Sequence, residues 1–236
     1  HLHGNNKSES ELEMAIKTGV GCIVIDNFYE IELLNKLLNQ FKKKVNALIR
    51  VTPGIESDTH HYIMTGNEDS KFGFNLQNGQ AEAAFLKLQH HPYINLKGLH
   101  CHIGSQIFET EGFILATNRL FNELSKWHKM YQYEPEVINL GGGFGIQYTK
   151  EDKPLHRSQY VNALIKAVEE QANKIQIPMP EIWIEPGRSI VGDAGITLYT
   201  IGSMKNIPHI RKYISVDGGM TDNLRPALYG AKYEAI

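Results

Sequence analysis

Apolar runs of strand length alternate along most of this chain with longer segments whose leucines and alanines recur at helical spacing. That alternation constrains the fold more than any other feature. A strand followed by a helix and another strand returns to its starting end, so successive strands must pair in parallel. Ser8 or Ser10 is placed to cap a helix running to about Lys17, where Thr18 and Gly19 stop it. Strands are then predicted over residues 22–25, 46–51, 96–103, 137–140 and 182–184, with helices over 31–41, 81–89, 113–131 and 160–175. Each strand ends in polar or glycine-rich residues: Asp26, Val51 to Pro53, His100 to His102, Gly141 to Gly143, and Glu185 to Arg188. In a β/α barrel that edge carries the active site.

From residue 194 the period changes to strand-like runs over 196–201 and 213–216, joined by short turns. The reading is therefore a parallel α/β domain over residues 1–193 and the beginning of a β-rich domain over 194–236. A long polar loop lies between the second strand and the helix at 81. It contains Thr59, His60, His61 and Tyr62, then Ser70 to Phe74, and loops of this length in compact domains are usually functional.

With 24 basic and 26 acidic residues the charge is nearly balanced, which argues against a nucleic-acid surface and for small-molecule or subunit partners. Cys22 and Cys101 sit in apolar runs and read as reduced buried thiols, so a cytoplasmic location is expected. No run approaches the roughly 18 apolar residues of a membrane span, and the first residues lack a signal-peptide layout. A chain starting at His1 in a polar turn is expected to be part of something longer.

Three constellations carry chemistry. In Asn139-Leu140-Gly141-Gly142-Gly143-Phe144-Gly145, consecutive glycines free the backbone to turn at positive φ and to close N–H groups on an anion. A glycine-rich turn needed only for tight packing is the competing reading, and neither the dinucleotide fingerprint nor a triphosphate loop is completed. His100 and His102 form H-x-H on one strand face, either a metal pair or a ring-stacking and packing pair. The ligand count falls short of zinc, because His60 and His61 are adjacent in a loop and no CxxC exists, so no metal is expected. Ser105, just beyond, offers a second anion contact. Glu185-Pro186-Gly187-Arg188 reads either as a surface ion pair at a sharp turn or as function. An acid at a strand end can hold a proton on a heteroaromatic nitrogen, and an arginine can grip phosphate or carboxylate. Arg225 and Tyr229 suit carboxylate recognition, with a structural salt bridge and a half-buried tyrosine as the alternative.

Taken in order, HGNNKS (3–8), SKFGF (70–74), GLHCHIGSQ (98–106), NLGGGFG (139–145), EPGR (185–188) and GGMTDNLRPALY (218–229) resemble the diaminopimelate decarboxylases. These belong to the fold-type III pyridoxal-phosphate enzymes, whose (β/α)8 barrel is of the alanine-racemase type. The resemblance implies pyridoxal 5'-phosphate as cofactor, with His102 stacked on its ring and Glu185 keeping its pyridine nitrogen protonated. It implies that Ser105, Gly141, Gly142, Gly143 and Gly187 hold the phosphate region and that Arg188 contacts phosphate or substrate. Arg225 and Tyr229 would bind a substrate carboxylate, favouring a diacid such as meso-2,6-diaminopimelate over ornithine. A homodimer with shared sites is implied as well. Other readings are an ornithine- or arginine-type decarboxylase, a non-catalytic cofactor-binding barrel, and a metal-dependent barrel hydrolase using His100 and His102.

The family's Schiff-base lysine, on the first barrel strand in a Y-A-x-K-A type segment, has no counterpart in these residues, and Lys7 does not substitute for it. The carboxy-terminal cysteine and tyrosine motifs are missing too. The expectation is a central piece with about five of eight barrel strands, inactive alone.

Overall fold

The computed structural model describes residues 1–55 and 69–234. Helix α1 (Glu9–Thr18) starts on a reciprocal box in which Ser8 caps the Glu11 N–H and the Glu11 carboxylate takes the Ser8 N–H; it stops on Gly19 at φ 71°. Asn27 caps α2 (Phe28–Phe41) through the Glu30 N–H. The strands β1 (Ile23–Ile25), β2 (Val45–Thr52), β4 (Ile94–His100), β5 (Val137–Asn139) and β6 (Glu181–Trp183) pair in that order, all parallel. A two-residue β3 (Phe74–Asn75) extends the far end of β2. Helices α3 (Gln80–Leu88), α4 (Glu111–Tyr131) and α5 (Arg157–Ile175) supply the crossovers.

Two strand positions escaped the sequence reading, β3 and a bridge at the amino end. Leu2 donates to the Cys22 carbonyl at 2.9 Å and accepts from the Val24 N–H at 3.0 Å, bridging in parallel to the free edge of β1. A single apolar residue between two histidines carries no periodic signal, so the expected five positions undercount the sheet.

Side-chain alternation divides the sheet into two faces. Ile23, Ile25, Ala47, Ile49, Leu99 and Ile138 pack outward with the helices, where Phe85 and Trp127 stack at 4.4 Å. Cys22, Val24, Leu48 and Val137 pack inward with Trp183. Both cysteines are buried free thiols, and burial pushes Cys22 up to about 11 and Cys101 to about 12.

Beyond β6 the chain forms α6 (Gly187–Val191), a 3-10 turn at Gly192–Ala194, and an antiparallel pair, β7 (Ile201–Ile207) with β8 (Arg211–Val216), then α7 (Arg225–Tyr229). The sharp turn expected after Glu185 is present, the Gly187 N–H donating to the Glu185 carbonyl at 2.9 Å across Pro186, and it opens directly into α6. One expectation is corrected here. The run 196–201 is not a strand before Ile201: the ladder with β8 ends at Ile201 opposite Val216, and Thr200 bonds Asp217 through its carboxylate as well as its N–H, which ends the regular pairing. No helix among the described residues is long and apolar enough to cross a membrane.

Candidate active site

The inward face delivers the site. Counting by twos from the inward residues Cys22, Val24, Leu48, Val137 and Trp183 gives Asp26, Arg50, Asn139 and Glu185 at the carboxyl ends of their strands. His100 follows outward-packed Leu99 and so shares this parity, with His102 beyond it; His1 and His3 flank the bridged Leu2.

Glu185 is the centre of this group. Its Oε1 receives Asn139 Nδ2 at 2.9 Å, lies 2.8 Å from His3 Nε2 and 3.4 Å from His1 Nδ1, while its Oε2 lies 3.3 Å from His100 Nε2. Partial burial raises its pKa, but hydrogen bonds from His100 and His3 outweigh this and hold the carboxyl far below its usual range. Burial lowers His100 to about 4, with Glu185 opposing and Arg50 assisting, so the imidazole is neutral at physiological pH and donates Nε2–H to an ionised carboxylate. Its buried Nδ1 then has no hydrogen-bond partner among the described residues. Burial, followed by the charge of Arg50, lowers His102 to about 4 as well.

The glycine run is held against two neighbouring strand ends. Gly141 and Gly143 adopt φ 68° and 101°. A Cβ on Gly142 would lie 2.0 Å from the Glu185 carbonyl oxygen, and one on Gly143 would lie 2.1 Å from that of Gly104. Close backbone approach therefore requires these glycines. The Gly141 N–H donates to Asn139 Oδ1 and the Gly142 N–H to His102 Nδ1, at 2.9 and 3.3 Å. The Gly143 N–H is the one of the three without an acceptor among the described residues, and Gly143 lies against the segment carrying Ser105.

Residues 1–192 match the family described as "Pyridoxal-dependent decarboxylase, pyridoxal binding domain". The chain belongs to the pyridoxal-dependent decarboxylases. It is 58% identical over 236 residues to the diaminopimelate decarboxylase of Bacillus methanolicus, covering all of this chain and 55% of that protein. It is 57% identical to that of Bacillus subtilis (strain 168), again over the whole chain and 54% of the relative. A crystal structure of diaminopimelate decarboxylase from M. jannaschii in co-complex with L-lysine superposes with a TM-score of 0.86 at 32% identity, covering 98% of this chain and 52% of that one. The chain thus spans about half the length of the relatives it matches. Solved relatives of this kind share the barrel architecture, of which the parallel sheet here is a part.

In this pyridoxal-dependent decarboxylase chain the other anticipated residues lie as follows. Ser105 is half-buried beside Gly143. Gly187 donates to the Glu185 carbonyl at 2.9 Å, and no heavy atom would meet a Cβ there. Arg188 lies 3.4 Å from Gln106 Oε1 and over the Tyr148 ring at 5.7 Å. Arg225 stacks over Tyr229 at 5.6 Å and donates to the Tyr233 hydroxyl at 3.0 Å; it pairs with no acid among the described residues. Arg225 and Tyr229 line a cavity of about 280 Å³ with Gln106, Tyr148, Asp152 and Tyr233. Gln106 and Tyr148 thus connect Arg188 to Arg225.

Lys7 is buried and saturated: its Nζ donates to the Gly4 and Val24 carbonyls at 2.8 and 2.7 Å and pairs with Glu30 at 2.8 Å. It fixes the turn after His3 and is not free for covalent chemistry. The H-x-H metal pair gains no third ligand among the described residues. The grouping with metal-like donors is instead His1, His3 and Glu185, whose ligand atoms lie within 4.8 Å of one another. His60 and His61 fall outside the described residues.

The sequence reading missed His1, His3, Arg50 and Asn139. Arg50, buried at the end of β2, stacks on Phe72 at 4.3 Å and faces Asp26 at 3.8 Å. Gly73 also donates to Asp26, which ties the SKFGF segment to the strand ends. Strand parity extended one step past each apolar run would have found Arg50 and Asn139.

Proposed function

We propose that the whole protein is a pyridoxal-phosphate-dependent carboxy-lyase that converts meso-2,6-diaminopimelate to L-lysine and CO2 in lysine biosynthesis. The observation that carries this reading is Glu185: an ionised carboxylate held by three imidazoles and one amide at the strand end facing a Cβ-free turn. The residues suit a phosphorylated pyridine. Gly143 and Ser105 offer phosphate donors, His102 offers a ring face that burial keeps neutral, and Glu185 offers an acceptor for a pyridinium N–H. When bound, the cofactor supplies an electron-poor ring that takes up the electron pair released as the carboxylate departs. Glu185 holds the proton at the ring nitrogen, which is useful only if the carboxyl stays ionised, and the surrounding donors ensure that. Arg188, Arg225 and Tyr229 orient the diacid through its carboxylates. Identities of 57–58% to relatives named diaminopimelate decarboxylase support that substrate over ornithine or arginine. A cytoplasmic homodimer is part of the proposal; the two buried free thiols favour a reducing compartment.

The test is turnover of meso-diaminopimelate and ornithine by the whole protein, with pyridoxal phosphate binding followed by absorbance. Glu185→Gln is expected to lower turnover about a hundredfold or more. Unchanged turnover and unchanged ring-nitrogen protonation in that variant would sink the reading. Preference for ornithine would favour the ornithine-type alternative.

A further inference from the structure

Asn139 ends β5, is fully buried, and makes two bonds that only a primary amide can make together. Its Oδ1 accepts the Gly141 N–H and its Nδ2 donates to Glu185 Oε1, each at 2.9 Å. The amide orientation is fixed by its neighbours, because a backbone N–H can only donate and a carboxylate can only accept. The Glu185 N–H returns to the Gly141 carbonyl at 2.7 Å, closing a ring through Asn139, Gly141 and Glu185. Aspartate at this position would keep the acceptor and lose the donor; serine could serve one partner at a time; glutamine would need a methylene's room that a fully buried site lacks.

We propose that Asn139 is a positioning residue that couples the glycine turn to Glu185, so that the phosphate end and the ring-nitrogen end of the cofactor site are set by one side chain. This rests on the reading of Glu185 as the partner of the pyridine nitrogen. A shift of the turn at Gly141 is transmitted to the carboxylate through both amide bonds. Asn139 also supplies one of the donors that keep Glu185 ionised.

The test measures pyridoxal phosphate affinity against pH, by tryptophan fluorescence, in the wild type, Asn139→Asp, Asn139→Ser, Glu185→Gln and the Asn139→Asp/Glu185→Gln pair. Two carboxylates in hydrogen-bond contact cannot both ionise freely, so Asn139→Asp should add a titration step to the binding profile that the wild type lacks. That step should vanish in the double variant. Asn139→Ser adds no charge and serves as the second variant if the aspartate variant does not fold; it should weaken binding about tenfold. Circular dichroism confirms folding of each variant. An Asn139→Asp profile superimposable on the wild type, or unaltered affinity in folded Asn139→Ser, overturns the proposal. If Glu185→Gln itself leaves the profile unchanged, the pyridine-nitrogen reading of Glu185 has failed instead.

Discussion

The parallel sheet and the segment after residue 194 place the side chains of the proposed site by different means. In the sheet, Glu185, His100 and Asn139 occupy strand ends whose backbones are pinned by parallel pairing and by helices packed outside. After residue 194, the β7–β8 pair is exposed at every position except half-buried Ile207, and Leu198 is 83% exposed. Arg225 and Tyr229 are oriented there by local contacts, to Tyr233 and to each other. A change in the first region should therefore disturb fold and site together, whereas a change in the second should touch ligand selection and leave the fold alone.

Glycine substitution breaks the comparison most sharply. Gly142→Ala would drive a methyl to within 2.0 Å of a backbone oxygen, and backbone cannot swing aside as a side chain can. It should cost about 3 kcal/mol in urea unfolding and abolish pyridoxal phosphate binding. Gly195→Ala, extended at φ −140° with no atom near its Cβ, should stay within about 0.5 kcal/mol of the wild type. Equal costs at the two positions would remove the distinction between the regions.

Acidification is the intermediate case. His100 and His102, at about 4, sit below the ordinary histidine value of roughly 6.5, so between those limits the unfolded chain binds more protons than the native one. Stability should fall as pH drops from 6.5 towards 4, by up to about 1.4 kcal/mol per pH unit for each histidine. The Glu185 carboxyl, held low, adds a loss of the same sign only at still lower pH. The protein's two tryptophans, Trp127 and Trp183, both lie in the sheet region, so their emission during urea unfolding at pH 7.5 and 5.5 reports it directly. His100→Gln should flatten that dependence, and an unchanged slope would mean that His100 is charged in the native protein.

What could be read from the sequence was what has a local cause. The two ends of α1 were legible because Ser8 and Gly19 each act within one turn of where they are read. Strands β1 to β6 were legible except where they shrink to one or two residues, as at Leu2 and Phe74. Helix α6 was hidden by the Pro-Gly that opens it, and α7 by Pro226 in its first turn. Within the site, Glu185 and the glycine turn stood out as polar endings of apolar runs. Of the partners of Glu185, His100 stood out in the H-x-H pair and Asn139 was within reach of strand parity, whereas His1 and His3 flank a one-residue bridge at the far edge of the sheet, which no local pattern records.

The smallest effect on the fold belongs to Arg225. Its guanidinium packs on Tyr229 and bonds Tyr233, and both partners lie in the segment that buries little. Arg225→Ala should change unfolding free energy by no more than about 0.5 kcal/mol. The cavity it lines, of about 280 Å³, would nevertheless lose its guanidinium, leaving Lys232, which pairs with Glu151, as the remaining cation of a lining that also carries Asp152. In the whole protein, kcat/KM for meso-diaminopimelate should fall about a hundredfold while that for ornithine, which presents an amine at that end, should change little. Equal loss on both substrates would move Arg225 from selecting the distal carboxylate to holding what they share, and the division of labour between the two regions would fail there.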